Sequence, residues 1–160
     1  MAEPLLSLEA VREGMANNPA LIALGTMLVK AKFDRDELTF TISAENIVAA
    51  CKAVQDAGYN FFEDCTAVDW YPSEPRFQVT YHIVSMQLKQ RVRLAVLLEG
   101  DDPVIPSITS VWPSPNFYER EVFDLFGIRF SGHPNLTRIM MPLDWKGHPL
   151  RKDYPVEGYR

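Results

Sequence analysis

Phe77, Val79, Tyr81 and Ile83 alternate without a break with Gln78, Thr80 and His82, and the same two-residue period returns in Val92, Leu94, Val96 and Leu98. Successive side chains on a strand point to opposite faces, so an extended backbone is what gathers each apolar set on one side. Arg91 and Arg93 fall on the opposite side from their apolar neighbours. A sheet of this kind has one face that must be covered and one that tolerates water. Helical spacing supplies the cover. Ile47, Ala50, Cys51 and Val54 make a narrow apolar stripe, with Ser43 as a cap, Glu45 at the positive end of the helix dipole and Gly58 just past the end. Upstream, Ser7 caps a short helix with Leu8, Val11 and Met15 on one face, and Asn17-Asn18-Pro19 ends it. The apolar stretch 26–33, the turn 34–37 and the alternating Leu38, Phe40 and Ile42 read as a hairpin, and a further strand is expected between Tyr59 and Trp70. The order helix, two strands, helix, three strands predicts an α+β fold. It is a two-layer domain with a mainly antiparallel sheet and helices.

From Pro103 onward the pattern changes. Ser114-Pro115 and Asn116-Phe117-Tyr118-Glu119 are equal candidates for opening a helix that Gly127 closes. That helix would carry Tyr118, Val122 and Leu125 on one side, and Glu119, Arg120, Glu121 and Asp124 mostly on the other. Arg120 and Asp124 stand at i,i+4, the spacing of a helix-surface ion pair. After Phe130 the periodicity stops. Pro134, Pro142, Pro149 and Pro155 are spaced too closely for a long helix or a central strand. Yet Leu136, Ile139, Met140, Met141, Leu143, Trp145, Leu150, Tyr154 and Tyr159 are not the composition of a disordered tail. The expected organisation is an α+β domain over residues 1–130 and an extended, proline-rich C-terminal docking arm over residues 131–160. The arm is expected to order against another surface rather than in its own core.

Charge narrows the partners. The chain carries 16 Lys and Arg against 21 Asp and Glu, a net charge of −5, which argues against nucleic acid. Arg129, Arg138, Lys146, Arg151, Lys152 and Arg160 outnumber Asp144, Asp153 and Glu157, so a basic tail follows an acidic body and should meet an acidic partner surface. No apolar run approaches a membrane span, and Met1 to Leu6 lacks the basic start of a secretory signal, so a cytoplasmic chain reaching a membrane only through partners is expected. Cys51, on a helix face, and Cys65, at the start of a strand, belong to no CxxC pair and read as buried reduced thiols. Gly132-His133-Pro134 and Gly147-His148-Pro149 form a repeated tripeptide without metal-ligand spacing. They read as rigid turns whose histidines bond to backbone or to a partner. His82 reads as a surface or satisfied polar residue. There is no GxGxxG, Walker A or GxSxG sequence. No catalytic, cofactor-binding or metal-binding residue is therefore expected in this chain, and binding is left as the use of the arm.

Three stretches carry a family resemblance: Tyr118-Glu119-Arg120-Glu121-Val122-Phe123-Asp124-Leu125-Phe126-Gly127-Ile128, then Gly132-His133-Pro134-Asn135-Leu136-Thr137-Arg138-Ile139, then Asp144-Trp145-Lys146-Gly147-His148-Pro149-Leu150-Arg151-Lys152-Asp153-Tyr154-Pro155. They closely resemble the C subunit of bacterial NADH-quinone oxidoreductase, the 30 kDa subunit of respiratory complex I, in its free-standing short form. The resemblance implies a structural and assembly subunit of the peripheral arm of a proton-translocating NADH:quinone oxidoreductase. Such a subunit belongs to an enzyme without holding its active site. FMN, iron–sulfur clusters and quinone are expected in partner subunits. The implied neighbours are the D (49 kDa-type) and B subunits, on the cytoplasmic side of the cell inner membrane. Related subunits occur in complexes with other electron donors, among them membrane-bound hydrogenases and F420H2- or ferredoxin-dependent quinone reductases. Partner contacts are expected at Glu119, Arg120, Glu121, Asp124, His133, Arg138, Trp145, His148, Arg151, Lys152, Asp153 and Tyr154.

Overall fold

A computed structural model describes residues 4–159. Met1 to Glu3, on which the reading of a missing secretory signal partly rests, and the charge of Arg160 lie outside them. Five strands form one sheet in the order β1-β2-β5-β4-β3: β1 (Leu28–Asp34), β2 (Glu37–Ile42), β3 (Phe61–Asp69), β4 (Phe77–Ser85) and β5 (Gln90–Leu98). Every pair is antiparallel except β2 with β5. The exception follows from the path of the chain. After β2 it crosses through helix α3 (Ile47–Asp56), enters the far edge at β3 and meanders back, so β5 reaches β2 running in the same direction.

The alternation read from the sequence is the register seen. Phe77, Val79, Tyr81 and Ile83 are fully buried opposite Leu98, Val96, Leu94 and Val92. The hairpin turn places Arg35 and Asp36 at φ of 53° and 62°, the left-handed pair that matches strand twist. Ser7 caps α1 (Leu8–Gly14) by accepting from the Ala10 amide at 3.1 Å. Asn18 does more than stop α1. Its side chain accepts from the Leu21 amide at 3.1 Å and opens α2 (Pro19–Leu24), with Pro19 in the first turn. That helix is absent from the sequence reading, because Asn-Pro signals a stop and a start equally well. Cys51 and Cys65 are free and buried, as expected, although Cys65 sits mid-strand in β3. Burial raises both thiol pKa values, so neither is a ready nucleophile. His82 pairs with Asp64 at 2.6 Å on the polar face.

Past β5 the chain makes a second, two-stranded parallel sheet from β6 (Val104–Pro106) and β7 (Arg129–Ser131), with α4 (Pro115–Phe126) between them in sequence. These strands fix both ends of α4, which packs against β3. Beyond β7 the described residues form turns only, as the prolines require. Among the described residues no helix is long and apolar enough to cross a membrane.

Candidate docking surface

Helix α4 begins at Ser114, with Pro115 at its first position, and ends at Gly127 in the left-handed region, φ 74°. Its polar residues are not one solvated face. Glu119 and Asp124 have no exposed surface, whereas Glu121 is exposed. The ion pair expected between Arg120 and Asp124 does not form. Arg120 donates instead to the carbonyls of Thr137 and Arg138, and Asp124 is taken by Arg138. The reason is that α4 is covered twice, by β3 and the loop 107–109 on one flank and by the arm on the other. A surface reading of its polar side fails once the arm lies on it.

Asp124 organises this contact. Arg138 donates to Oδ1 at 2.6 Å, while Oδ2 accepts from the amides of Ile139, Met140 and Met141 at 2.9, 2.7 and 2.8 Å. Three consecutive amides turned onto one oxygen make an anion nest. Burial alone would raise the Asp124 pKa, but the amides and the guanidinium outweigh it and hold the group below its ordinary value. The last carbonyls of α4, which no helix can satisfy internally, are served by the arm as well. His148 Nδ1 donates to Asp124 O at 2.9 Å, the Leu150 amide to Leu125 O at 3.0 Å, and Arg151 Nε to Phe126 O at 2.6 Å. Burial, helped by Arg151 and Arg138, lowers the His148 pKa against the pull of its carbonyl partner, which favours the neutral ring.

A second catch lies at the far end of the sheet. Arg76, 2% exposed, holds Asp69 through Nε at 3.1 Å and Nη2 at 3.0 Å, and also pairs with Asp101 and with Asp153 of the arm. Its guanidinium lies 5.0 Å from the Tyr71 ring centre and 4.8 Å from that of Phe77. The Lys152 amide adds a bond to Asp69 at 2.9 Å. Arg76 and Asp69 are functional partners of the arm that sequence reasoning missed. Their contacts at Asp153 and Lys152 lie 77 and 83 residues further along the chain, and no local pattern links them.

Several polar groups of the arm thus point inward, while Asp144, Lys146 and Lys152 stay exposed. The arm's basic Arg138 and Arg151 are used on the body of the same chain, which corrects the picture of a free basic tail waiting for an acidic partner. Its apolar side chains point outward: Met140, Leu143, Leu150, Val156 and Tyr159 are exposed, and Trp145 is 39% exposed. Among the described residues only Leu136 of the arm packs against the main core. Trp145 joins Pro149, Tyr154 and Pro155 around a shallow cavity of about 390 Å³, with Tyr154 and Tyr159 stacked edge to face at 5.3 Å. The Lys152 side chain is exposed. The expected partner residues therefore separate. Glu121, Trp145 and Lys152 face out; Arg138, His148 and Arg151 of the arm bond to α4, where Asp124 faces the arm; Glu119 is enclosed against the loop 107–109; Asp153 pairs with Arg76, and Tyr154 packs within the arm. His133 donates from Nε2 to Asn116 O at 3.1 Å and accepts the Asn135 amide at Nδ1.

Among the described residues no group of three or more His, Cys, Asp or Glu is placed to hold a metal ion. Fold and surface together define an α+β domain with a C-terminal strap that shows its apolar side. The chain belongs to the family of the 30 Kd subunit of the respiratory-chain NADH dehydrogenase, whose model matches residues 40–160. It is 46% identical over 147 residues to the NADH-quinone oxidoreductase C subunit of Citrifermentans bemidjiense, covering 89% of this chain and 91% of that one. Among solved structures it is similar to a trypsin-resistant fragment of Nqo5, with 31% identity, a TM-score of 0.65, and coverage of 81% of this chain and 98% of that one. It shares its fold with a chain of an archaeal membrane-bound sulfane sulfur reductase, at 24% identity and a TM-score of 0.70 over 84% and 82%.

Proposed function

We propose that the chain is a cofactor-free structural and assembly subunit in the peripheral arm of an NADH-quinone oxidoreductase-type complex, binding its neighbours through the outward face of residues 131–160. The observation that carries this reading is the inversion of the arm. Arg138, His148, Arg151 and Asp153 are spent on the body, and Met140, Leu143, Leu150 and Val156 are left exposed beside the exposed charges of Asp144, Lys146 and Lys152. Exposed apolar patches of this kind mark binding surfaces. The fitting partner presents an apolar groove, and the family points to the D-type and B-type subunits for it, on the cytoplasmic side of the inner membrane. FMN, clusters and quinone then belong to those partners. The burial of both thiols, which keeps them from acting as ligands or nucleophiles, supports this division of labour.

The test is recovery of the complex from membranes through the tagged chain, with partners identified by mass spectrometry. A second reading, the same docking role in a complex with a different electron donor, is favoured by the fold shared with the sulfane sulfur reductase chain. Recovery of flavin-bearing and NADH-oxidising subunits supports the first; recovery of a hydrogenase- or ferredoxin-linked set supports the second. Recovery of the chain alone contradicts both.

A further inference from the structure

Among the described residues three carboxylates have no exposed surface or almost none: Asp69, Glu119 and Asp124. Asp69 is paired with Arg76 and Asp124 with Arg138. Glu119 has no such partner. Among the described residues no Lys or Arg nitrogen lies within 4.0 Å of it, and the nearest ionisable nitrogen is Nε2 of His133 at 3.9 Å. That nitrogen is already engaged with Asn116 O at 3.1 Å, and the other ring nitrogen with the Asn135 amide, so both are taken up by backbone. The other groups facing Glu119 are Cys51 of α3, Cys65 of β3 and Tyr81 of β4, which are neutral or become negative.

The hydrogen bonds to Glu119 come from neutral donors, and no cation is among them. Oε1 accepts from the Ile108 amide at 2.8 Å. Oε2 lies 2.6 Å from Ser107 Oγ, and that oxygen lies 2.8 Å from Thr109 Oγ1. Ser107 donates to an ionised Oε2; when Oε2 is protonated the hydroxyl can rotate, so that Glu119 donates to Ser107 and Ser107 donates to Thr109 Oγ1. An ionised Glu119 would put an unpaired charge in the interior, which is far costlier than burying the neutral acid. Burial raises its pKa to about 7, and the bonds from Ser107 and Ile108 only partly oppose this.

The position gives ionisation a consequence. Ser107 is tied to the root of the arm through its amide bond to Ser131 O, and His133 ties the same root to Asn116 at the start of α4. Glu119 sits where α4, the loop 107–109 and the arm root meet. We propose that Glu119 is held as the neutral acid in the folded chain, and that loss of this proton to solvent is a pH-sensitive release of the joint between α4, the loop and the arm root. The inference concerns the isolated chain and does not depend on which partner it meets.

Infrared spectroscopy of the whole purified chain tests the proton directly. At pH 6 a protonated-carboxyl carbonyl band should be present and should vanish with a midpoint near neutrality as pH rises. Glu119→Gln keeps the neutral shape and both bonds, so it should fold, lack that band, and keep the same joint at pH 6 and pH 8. Hydrogen exchange at Ile108 and Asn135, corrected for the intrinsic effect of pH, should rise about tenfold from pH 6 to pH 8 in the parent and stay flat in the variant. Absence of the band in the parent at pH 6 overturns the proposal without any variant. An equal rise in exchange in parent and Glu119→Gln overturns the release, and a Glu119→Gln chain that does not fold contradicts the neutral acid.

Discussion

The Arg138 guanidinium of the arm lies 2.6 Å from a carboxylate of Asp124 that has no exposed surface, and three successive backbone amides close around the same group. The pair makes the arm part of the folded chain, although among its described residues only Leu136 packs against the main core. Breaking a buried pair from one side leaves a charge without its partner, which costs about 3–5 kcal/mol. Asp124→Asn, which also turns an amide N–H toward the nest of donors, should therefore lower stability by about that amount. The measurement is denaturant unfolding, with trypsin cleavage at Arg138, Lys146 and Arg151 as the local readout. Unchanged cleavage would show that the nest does not hold the arm.

Arg76→Lys should be nearly as damaging despite the retained charge. The fork of Arg76 reaches both oxygens of Asp69 and the carboxylates of Asp101 and Asp153, whereas an ammonium on a flexible stem cannot span them and loses the stacking on Tyr71 and Phe77. A loss of about 2–3 kcal/mol is expected. Asp153→Asn, at a half-exposed position, should cost less than about 1 kcal/mol. Equal melting of the Lys variant and the parent would contradict the two-oxygen geometry.

Gly127 is needed for two reasons, and both concern the arm. Its φ of 74° disfavours any side chain, and a Cβ would stand 2.5 Å from the His148 ring and 2.7 Å from Arg151. Gly127→Ala should cost about 1–2 kcal/mol from the backbone alone. It should also displace His148 and Arg151 from the carbonyls at the end of α4. Faster hydrogen exchange at Leu150 in that variant is the check.

Stability should depend on pH in two opposite ways. Asp124 and Asp69 titrate lower when folded, so their contribution is present above the ordinary carboxylate range and is lost as pH falls through their folded values. Glu119 titrates higher when folded, from 4.5 to about 7. Its contribution is full below 4.5 and is lost as pH rises through 7, a change of about 3 kcal/mol. Subtracting the unfolding profile of Glu119→Gln from that of the parent should isolate this second limb. A flat difference between pH 4.5 and pH 8 would remove it.

The sheet was legible in the sequence because Phe77 to Ile83 and Val92 to Leu98 each carry a strict period of two, and a one-residue slip would invert every face. The neighbour of β5 was not legible. Nothing local says that β5 lies beside β2, since that depends on the crossover through α3. The arm was legible as a segment, from its prolines and its apolar residues, but the direction of its side chains was not. Arg138 and Arg151 look like rim cations on a docking arm, and they are instead catches on the chain's own α4. The buried state of Glu119 and Asp124 escaped for the same reason: polarity implies exposure only where nothing polar covers the residue.

The docking reading is tested most directly by Trp145→Ala and Leu143→Asp, measured in pairs: the amount of assembled complex on native gels of membranes, and the melting temperature of the purified chain. Leu143 is 83% exposed and Trp145 is 39% exposed, so neither change should shift melting by more than about 2 °C. Assembled complex should fall sharply in both, since truncating an anchor tryptophan at an interface costs on the order of 2–4 kcal/mol of association. Normal assembly with both variants, or melting that drops as far as assembly does, would place these side chains outside any docking surface and contradict the reading.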